Sequence, residues 1–406
     1  MNHLLLQVGV MFAVVAAGGY LARKMNQSVI PFYIILGILM GKNVLGRTSF
    51  LGQYEVYIAE TTFMEIGAEI GIILLLFFLG LEFNLDRLIE AKEKIGKAGT
   101  LDLVVNFGAG FLLGFSSFLL ILSTGIREAL LGGFLVAGIV YMSSSAIITK
   151  SLIDIGWIAN DEAEPMLGTL IYEDVFIAIY LAVVSALLLR GEGFGAVLSS
   201  IGIAVGFILL LLILVYFGTR YFERMVETNS KEFKVLRIMG TTVLIGGAGL
   251  ALGVSEGVSA FFVGMAFSGT DHADDVEEIM EPVRDVFAAV FFFWIGLITD
   301  PRLFLGAAPM IILAVVVTTP TKLFTGYYGG KIYGLSEKRC VRTALGMTAR
   351  GEFSLIIATL ALAGAGIMGG TAENIYAFSV GYVLLMSILG TMLMEHSGFF
   401  EKRFAG

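Results

Sequence analysis

Long apolar runs, closed by glycine, charged or turn-forming positions, follow one another along almost the whole chain. They read as helical spans near 4–22, 28–45, 66–83, 99–123, 128–150 and 165–189, and again near 195–217, 237–255, 257–268, 281–299, 303–330, 342–368 and 372–396. About twenty apolar residues cross a hydrocarbon core about 30 Å thick. Inside that core a helix satisfies its own backbone hydrogen bonds, which an irregular segment cannot do. The pattern predicts an all-α polytopic membrane protein with about thirteen transmembrane helices, forming one transporter domain over residues 1–406.

An odd number of spans puts the termini on opposite sides, and lysine and arginine decide which side is which. Nineteen of the 26 basic residues fall in loops after odd-numbered spans, among them Arg23, Lys24, Lys150, Arg237, Arg339 and Arg342. Five, namely Lys42, Arg47, Arg127, Arg190 and Arg302, fall on the other side, and Lys322 and Arg350 lie within spans. This predicts an external amino terminus and a cytoplasmic carboxyl terminus. Thirteen spans also divide as six, one and six: a first repeat over 1–190, a linking helix at 195–217 and a second repeat over 237–396. The second set of six starts from the opposite side, which is the inverted-repeat plan of secondary transporters.

Composition agrees with lipid as the solvent. The 406 residues are 57% hydrophobic and 15% charged, with a mean hydropathy of +0.89; soluble domains carry nearer a quarter charged residues. The 51 glycines allow close helix packing where lipid supplies no hydrophobic drive. No basic cluster interleaved with aromatics suggests nucleic acid. Cys340 is the single cysteine, so no internal disulfide can form. His3, His272 and His396 fall outside or at the ends of spans, which argues against a histidine metal site.

Ionisable groups inside spans are costly and mark ion or substrate paths. In IYEDVFIAIYLAVV, Glu173 and Asp174 are the only charges, eight and nine residues after Pro165. At 1.5 Å per residue they lie roughly 12–14 Å into the helix, near the midplane. Neighbouring helical residues point about 100° apart, so one carboxylate can meet a basic partner while the other faces a watery cavity. Lys322, in TTPTKLF, is the candidate partner. A buried ion pair holding two helices together is the bland alternative, but it leaves one carboxylate over. Such a group either takes up a proton or binds a cation in its place, and competition of two ligands for one site is the chemistry of an antiporter.

Two spans carry signs of interrupted helices. YMSSSAIITK groups Ser143, Ser144 and Ser145, whose hydroxyls can satisfy a freed backbone; helix packing explains them equally well. MTARGEFSLI sets Arg350, Gly351 and Glu352 in an apolar run, and each charge there is expected to serve a half-helix end or a separate partner. These are spans five and twelve, equivalent positions in the two repeats, where broken helices point to a binding site. Glu173, Asp174 and Glu352 against Lys322 and Arg350 leave one negative charge, suited to one monovalent cation or one proton. Asp102 and Glu69 read as interface or capping residues, and the glycines of GGAGLALG as helix packing. The acidic loop TDHADDVEEIMEP reads as a solvated face.

Several segments together resemble the monovalent cation:proton antiporter-2 family, with its KefC-like and KhtU-like potassium/proton antiporters. They are PFYIILGILMGKNVLG, EIGIILLLFFLGLEFNLDRL, SSSAIITKSL, GTLIYEDVFIAIYLAVVSALL, SAFFVGMAFSGT, EPVRDVFAAVFFFWIGLITD, TKLFTGYYGGKIYGLS and RGEFSLIIATLA. The resemblance runs over essentially the whole chain and is closest to the KhtU-like branch, where an acidic pair and R-G-E-F-S also occur. It implies a homodimer in a prokaryotic plasma membrane, with spans five and twelve unwound and crossing in a core that carries the ion by elevator motion. It also implies that Asp174 is the ion- and proton-binding carboxylate and that Glu173 pairs with Lys322. Glu-Asp here, where relatives have Asp-Asp or Gln-Asp, leaves the stoichiometry open. KefC-like members continue into a cytoplasmic nucleotide-binding domain, whereas this sequence stops ten residues after its last expected span; regulation would come from such a missing domain or from a separate cytoplasmic subunit.

The expected function is potassium/proton antiport with potassium or sodium bound at Asp174. Monovalent cation and proton are the substrates, and no cofactor is expected. Sodium/proton antiport is the alternative within transporters, since oxygen ligands alone do not fix ion size. A passive cation channel is the alternative from another class, and a fixed lysine at the site argues against it. No nucleophile with a histidine partner lies at membrane depth, so no enzyme activity and no catalytic residue is expected.

Overall fold

The computed structural model describes residues 4–25, 27–45, 58–81, 92–157, 159–189, 221–228, 230–252 and 256–404, with a few helical positions between 202 and 213. The stretch 195–217, read as a linking helix, lies largely outside the described residues. Every regular element among the described residues is helical. In chain order they are α1 (Leu4–Lys24), α2 (Val29–Met40), α3 (Thr62–Leu81) and α4 (Lys92–Asp102), then a π-helical turn at Leu103–Phe107, then α5 (Gly108–Leu120). Next come α6 (Ile126–Tyr141), α7 (Ser145–Asp154), α8 (Ala163–Leu189), α9 (Lys231–Ala251), α10 (Glu256–Ser268) and α11 (Ala273–Ile298). The last are α12 (Leu303–Ile332), α13 (Glu337–Gly346), α14 (Glu352–Ala363), followed by a single helical turn at Ala365–Met368, then α15 (Thr371–Glu395) and α16 (Ser397–Phe404).

Among the described residues, seven helical segments are long and apolar enough to cross a membrane singly: α1, α3, Glu93–Leu120, Ala163–Ser185, α9, α12 and α15. Shorter apolar helices, Val29–Met40, Glu256–Ser268 and Glu352–Ala363, fall in other expected spans. Two expected spans, 128–150 and 342–368, are split. The first breaks at Met142–Ser144 between α6 and α7, the second at Met347–Gly351 between α13 and α14. Large apolar side chains such as Leu112, Leu120, Leu244, Leu305 and Val316 stand exposed on the outward faces, as a lipid-facing surface requires.

The chain divides into two compact units. The first comprises Met1–Met11, Leu39–Asp86 and Ala178–Ile298. Its core joins Ile73, Leu74, Phe77 and Phe78 of α3 to Ala260, Val263 and Phe267 of α10 and to Val276 and Met280 of α11. Contact between α3 and α10 is backbone to backbone. A Cβ at Gly80 would run into the carbonyl oxygen of Phe261, and one at Gly264 into that of Phe77. Small residues of this kind let membrane helices approach where lipid gives no hydrophobic push.

The second unit comprises Phe12–Ile38, Arg87–Ile177 and Thr299–Gly406. It holds both helix breaks, the π-turn, the amino-terminal half of α8, and α12 and α15. Its buried polar residues include Asp102, Asn106, Ser143, Ser144, Glu173, Lys322, Thr325, Arg350 and Glu352.

Replacing Gly264 by valine is expected to lower the stability of the first unit by about 1–3 kcal/mol or more through overpacking against α3. A fall in melting temperature of the purified protein in detergent would register it, while the same change at Gly247, where a Cβ meets nothing within 4 Å, should cost much less.

Candidate functional site

The two breaks meet. The Ser144 amide donates to the Ala349 carbonyl at 3.0 Å, joining the two unwound segments backbone to backbone. A Cβ on Gly351 would lie 2.5 Å from Ser144 Oγ, so glycine is what allows the approach. Unwinding leaves carbonyls bare at the ends of α6 and α13 and amides bare at the starts of α7 and α14. Arg350, wholly buried, serves the carbonyls. Its Nε donates to Val140 O at 2.9 Å, and its Nη1 lies 3.2 Å from each of the carbonyls of Met347, Thr348 and Ala349. Ser354 Oγ donates to Ile139 O at 2.6 Å. Glu352 opens α14 and receives Ser144 Oγ at 2.7 Å and Ser145 Oγ at 3.4 Å from the start of α7. A cation thus sits at the negative, carboxyl-terminal ends of α6 and α13, and an anion at the positive, amino-terminal ends of α7 and α14, as helix dipoles favour.

The third serine goes elsewhere. Ser143 donates through its amide to Glu173 Oε2 at 2.5 Å and through Oγ to Glu173 Oε1 at 2.9 Å. Glu173 also receives Lys322 Nζ at 2.7 Å, with both side chains essentially inaccessible to solvent. Asp174, the next residue of α8, is part-exposed. The acidic pair is therefore unequal: one carboxylate is enclosed and bound on both oxygens, and the other is only part-buried.

Lys322 has a second carboxylate. Its Nζ lies 2.7 Å from Asp102 Oδ2 as well, and 5.2 Å from the centre of the Tyr141 ring. Asp102 is 2% exposed, and its side chain makes no capping hydrogen bond to the π-turn that it opens. It lies at the last residue of α4, where the π-turn begins, and Asn106 inside that turn donates to its Oδ1 at 2.9 Å. Thr325 Oγ1 donates to the same oxygen at 2.6 Å. Sequence reasoning passed over Asp102 although a signal existed: Asp102 and Asn106 are four apart in the otherwise apolar run LDLVVNFGAGF, and Thr325 is three residues after Lys322. Each pair shares one helix face. With Asp102 included, four carboxylates (Asp102, Glu173, Asp174 and Glu352) face two cations (Lys322 and Arg350), so the formal sum is two negative charges rather than one.

Comparison with known proteins places the chain in a family. The family model described as sodium/hydrogen exchanger, transmembrane, matches residues 10–395. The chain is 36% identical to the K(+)/H(+) antiporter subunit KhtU of Bacillus subtilis over 98% of its own length and 94% of the relative's. It is 28% identical to the ammonium/H(+) antiporter subunit AmhT of Alkalihalophilus pseudofirmus, over 99% and 95% respectively. Its fold is that of the sodium proton antiporter MjNhaP1 from Methanocaldococcus jannaschii, with a TM-score of 0.70 over 97% of this chain and 100% of that one at 15% identity. The chain belongs to the sodium/hydrogen exchanger family of multi-pass membrane cation/proton antiporters.

Removing one member of a buried ion cluster strands the others, at about 3–5 kcal/mol. Lys322→Ala leaves Glu173 and Asp102 facing each other without a cation. A melting temperature well below that of the native protein, together with a displaced pH profile of exchange, is the expected result. A neutral outcome for both would remove the role given to the cluster.

Proposed function

We propose that the protein exports potassium in exchange for protons, with cation and proton competing for the carboxylate of Asp174. The observation that carries this reading is the inequality of the acidic pair. Glu173 is buried and accepts three hydrogen bonds from Ser143 and Lys322, whereas Asp174, next to it on the same helix, is part-exposed. A bare cation there trades water for oxygen ligands, and a proton makes the site neutral, so the two substrates exclude each other. The similarity to an antiporter subunit named for potassium and protons supports potassium as the cation.

Alternating access is of the elevator kind in this reading, the second unit travelling as a body. The six charged residues of the site, Asp102, Glu173, Asp174, Lys322, Arg350 and Glu352, lie on that unit, so motion of the whole would carry the site without unpairing Lys322 or Arg350. The inverted repeat, with 1–190 and 237–396 as its halves, the external amino terminus and the homodimer belong to the same proposal, as does a separate cytoplasmic regulatory subunit. Two relatives named as antiporter subunits support the last point. Sodium in place of potassium remains the second reading, favoured by the family description. Lys322, fixed at the centre, speaks against a passive channel, because its charge repels a permeant cation.

Purified protein in liposomes with an internal pH dye, given potassium or sodium under an imposed proton gradient, is expected to move protons on addition of potassium and less on addition of sodium. If neither salt moves protons, the antiport reading fails. Asp174→Asn is expected to reduce exchange to the level of empty liposomes while the protein still folds; retained exchange would place the site elsewhere.

A further inference from the structure

Asp102 is a buried carboxylate at the site to which exchange at Asp174 assigns no task. It is held with some care. Oδ1 receives Asn106 at 2.9 Å and Thr325 at 2.6 Å, and Oδ2 receives Lys322 at 2.7 Å. Asn106 also donates to the Asp102 carbonyl at 3.1 Å and to Thr325 Oγ1 at 3.0 Å, tying the three together. The π-turn Leu103–Phe107 begins at the residue after Asp102, and such bulges in otherwise regular helices tend to occur at functional sites. α12 meets this arrangement with Lys322 and Thr325, one helical turn apart.

The ammonium of Lys322 is itself a monovalent cation on a flexible four-carbon stem. It touches Glu173 at 2.7 Å, and Asp174 is the next residue along α8, its Cα about 3.8 Å away. Held by Glu173 alone, the ammonium could swing on its stem to the neighbouring carboxylate and occupy the place of the cargo. Held from the other side as well, it cannot. We infer that Asp102 is a positioning residue for transport, which with Asn106 and Thr325 anchors Lys322 and keeps a tethered cation from competing with the transported one. This rests on the reading of Asp174 as the exchange carboxylate.

The test compares native protein, Asp102→Asn, Asp102→Glu and the double change Asp102→Asn with Lys322→Met, each titrated with potassium in liposome exchange and by potassium-dependent melting in detergent. Loss of the anchor is expected to raise the half-saturating potassium about tenfold, with the maximal rate much less affected, because a competitor acts on apparent affinity. Asp102→Glu should restore most of the affinity. In the double change the competitor is gone, so half-saturation by melting should fall back from the raised value of Asp102→Asn, even though the unpaired Glu173 lowers the melting temperature itself. A merely structural role would leave the double change at least as impaired as the single one, and that result overturns the inference. So does an unchanged half-saturation in Asp102→Asn. If Asp102→Asn does not fold, Thr325→Val keeps every charge and loosens the anchor; a raised half-saturation supports the inference and an unchanged one overturns it. Failure of native protein to exchange at all would sink the antiport reading, and retained exchange in Asp174→Asn the choice of carboxylate; both are distinguishable from normal native exchange with an unaffected Asp102→Asn.

Discussion

An ammonium enclosed among apolar helices can persist only if its charge is matched at close range, and much of the second unit is arranged around that requirement. Lys322 lies 2.7 Å from two carboxylates on two different helices, Asp102 on α4 and Glu173 on α8. Each carboxylate is held in turn by further donors, Asn106 and Thr325 on one side and Ser143 on the other. The desolvation of three charged groups is offset only while all three are present. The cluster therefore fixes the mutual positions of α4, α8 and α12 more tightly than apolar packing between smooth helices in lipid would.

Through Ser143 the same cluster reaches the helix crossing. Ser143 belongs to the unwound segment after α6, so the position of Glu173 is coupled to a break in a neighbouring helix. That break would be untenable in lipid by itself, since carbonyls and amides are left bare. Arg350 and Glu352 supply the missing partners from the other broken helix, and Gly351 gives the room for contact. Ion cluster and crossing thus depend on each other, and Asp174 sits next to where they join.

Much of this was legible in the sequence. Apolar runs located most of the described helices, and charges expected at membrane depth singled out Glu173, Asp174, Lys322, Arg350 and Glu352. The division of labour among Ser143, Ser144 and Ser145 was not legible, because three adjacent hydroxyls give no clue to which of two glutamates each will reach once the helix unwinds. Asp102 was missed for a related reason. It sits only a few residues from the lysines of α4 and looks like the edge of a span, whereas the π-turn and the approach of α12 draw it into the interior. The boundaries of the broken spans were also not legible: Gly346 and Gly351 are two glycines among 51, and only the partner segment shows which of them must be small.

The crossing has an electrical consequence. Each elementary charge moved through a membrane field of 100 mV involves about 2.3 kcal/mol of work. Arg350 and Glu352 carry opposite charges at one junction, and each is placed against the half-helix ends whose partial charge it cancels. The junction is thus close to electrically silent, as neutral as the apolar helices that flank it. Of the two buried arrangements, the cluster of Asp102, Glu173, Asp174 and Lys322, with its unequal numbers of acids and bases, is then the one that a membrane field can act on, and not the unwound backbone beside it.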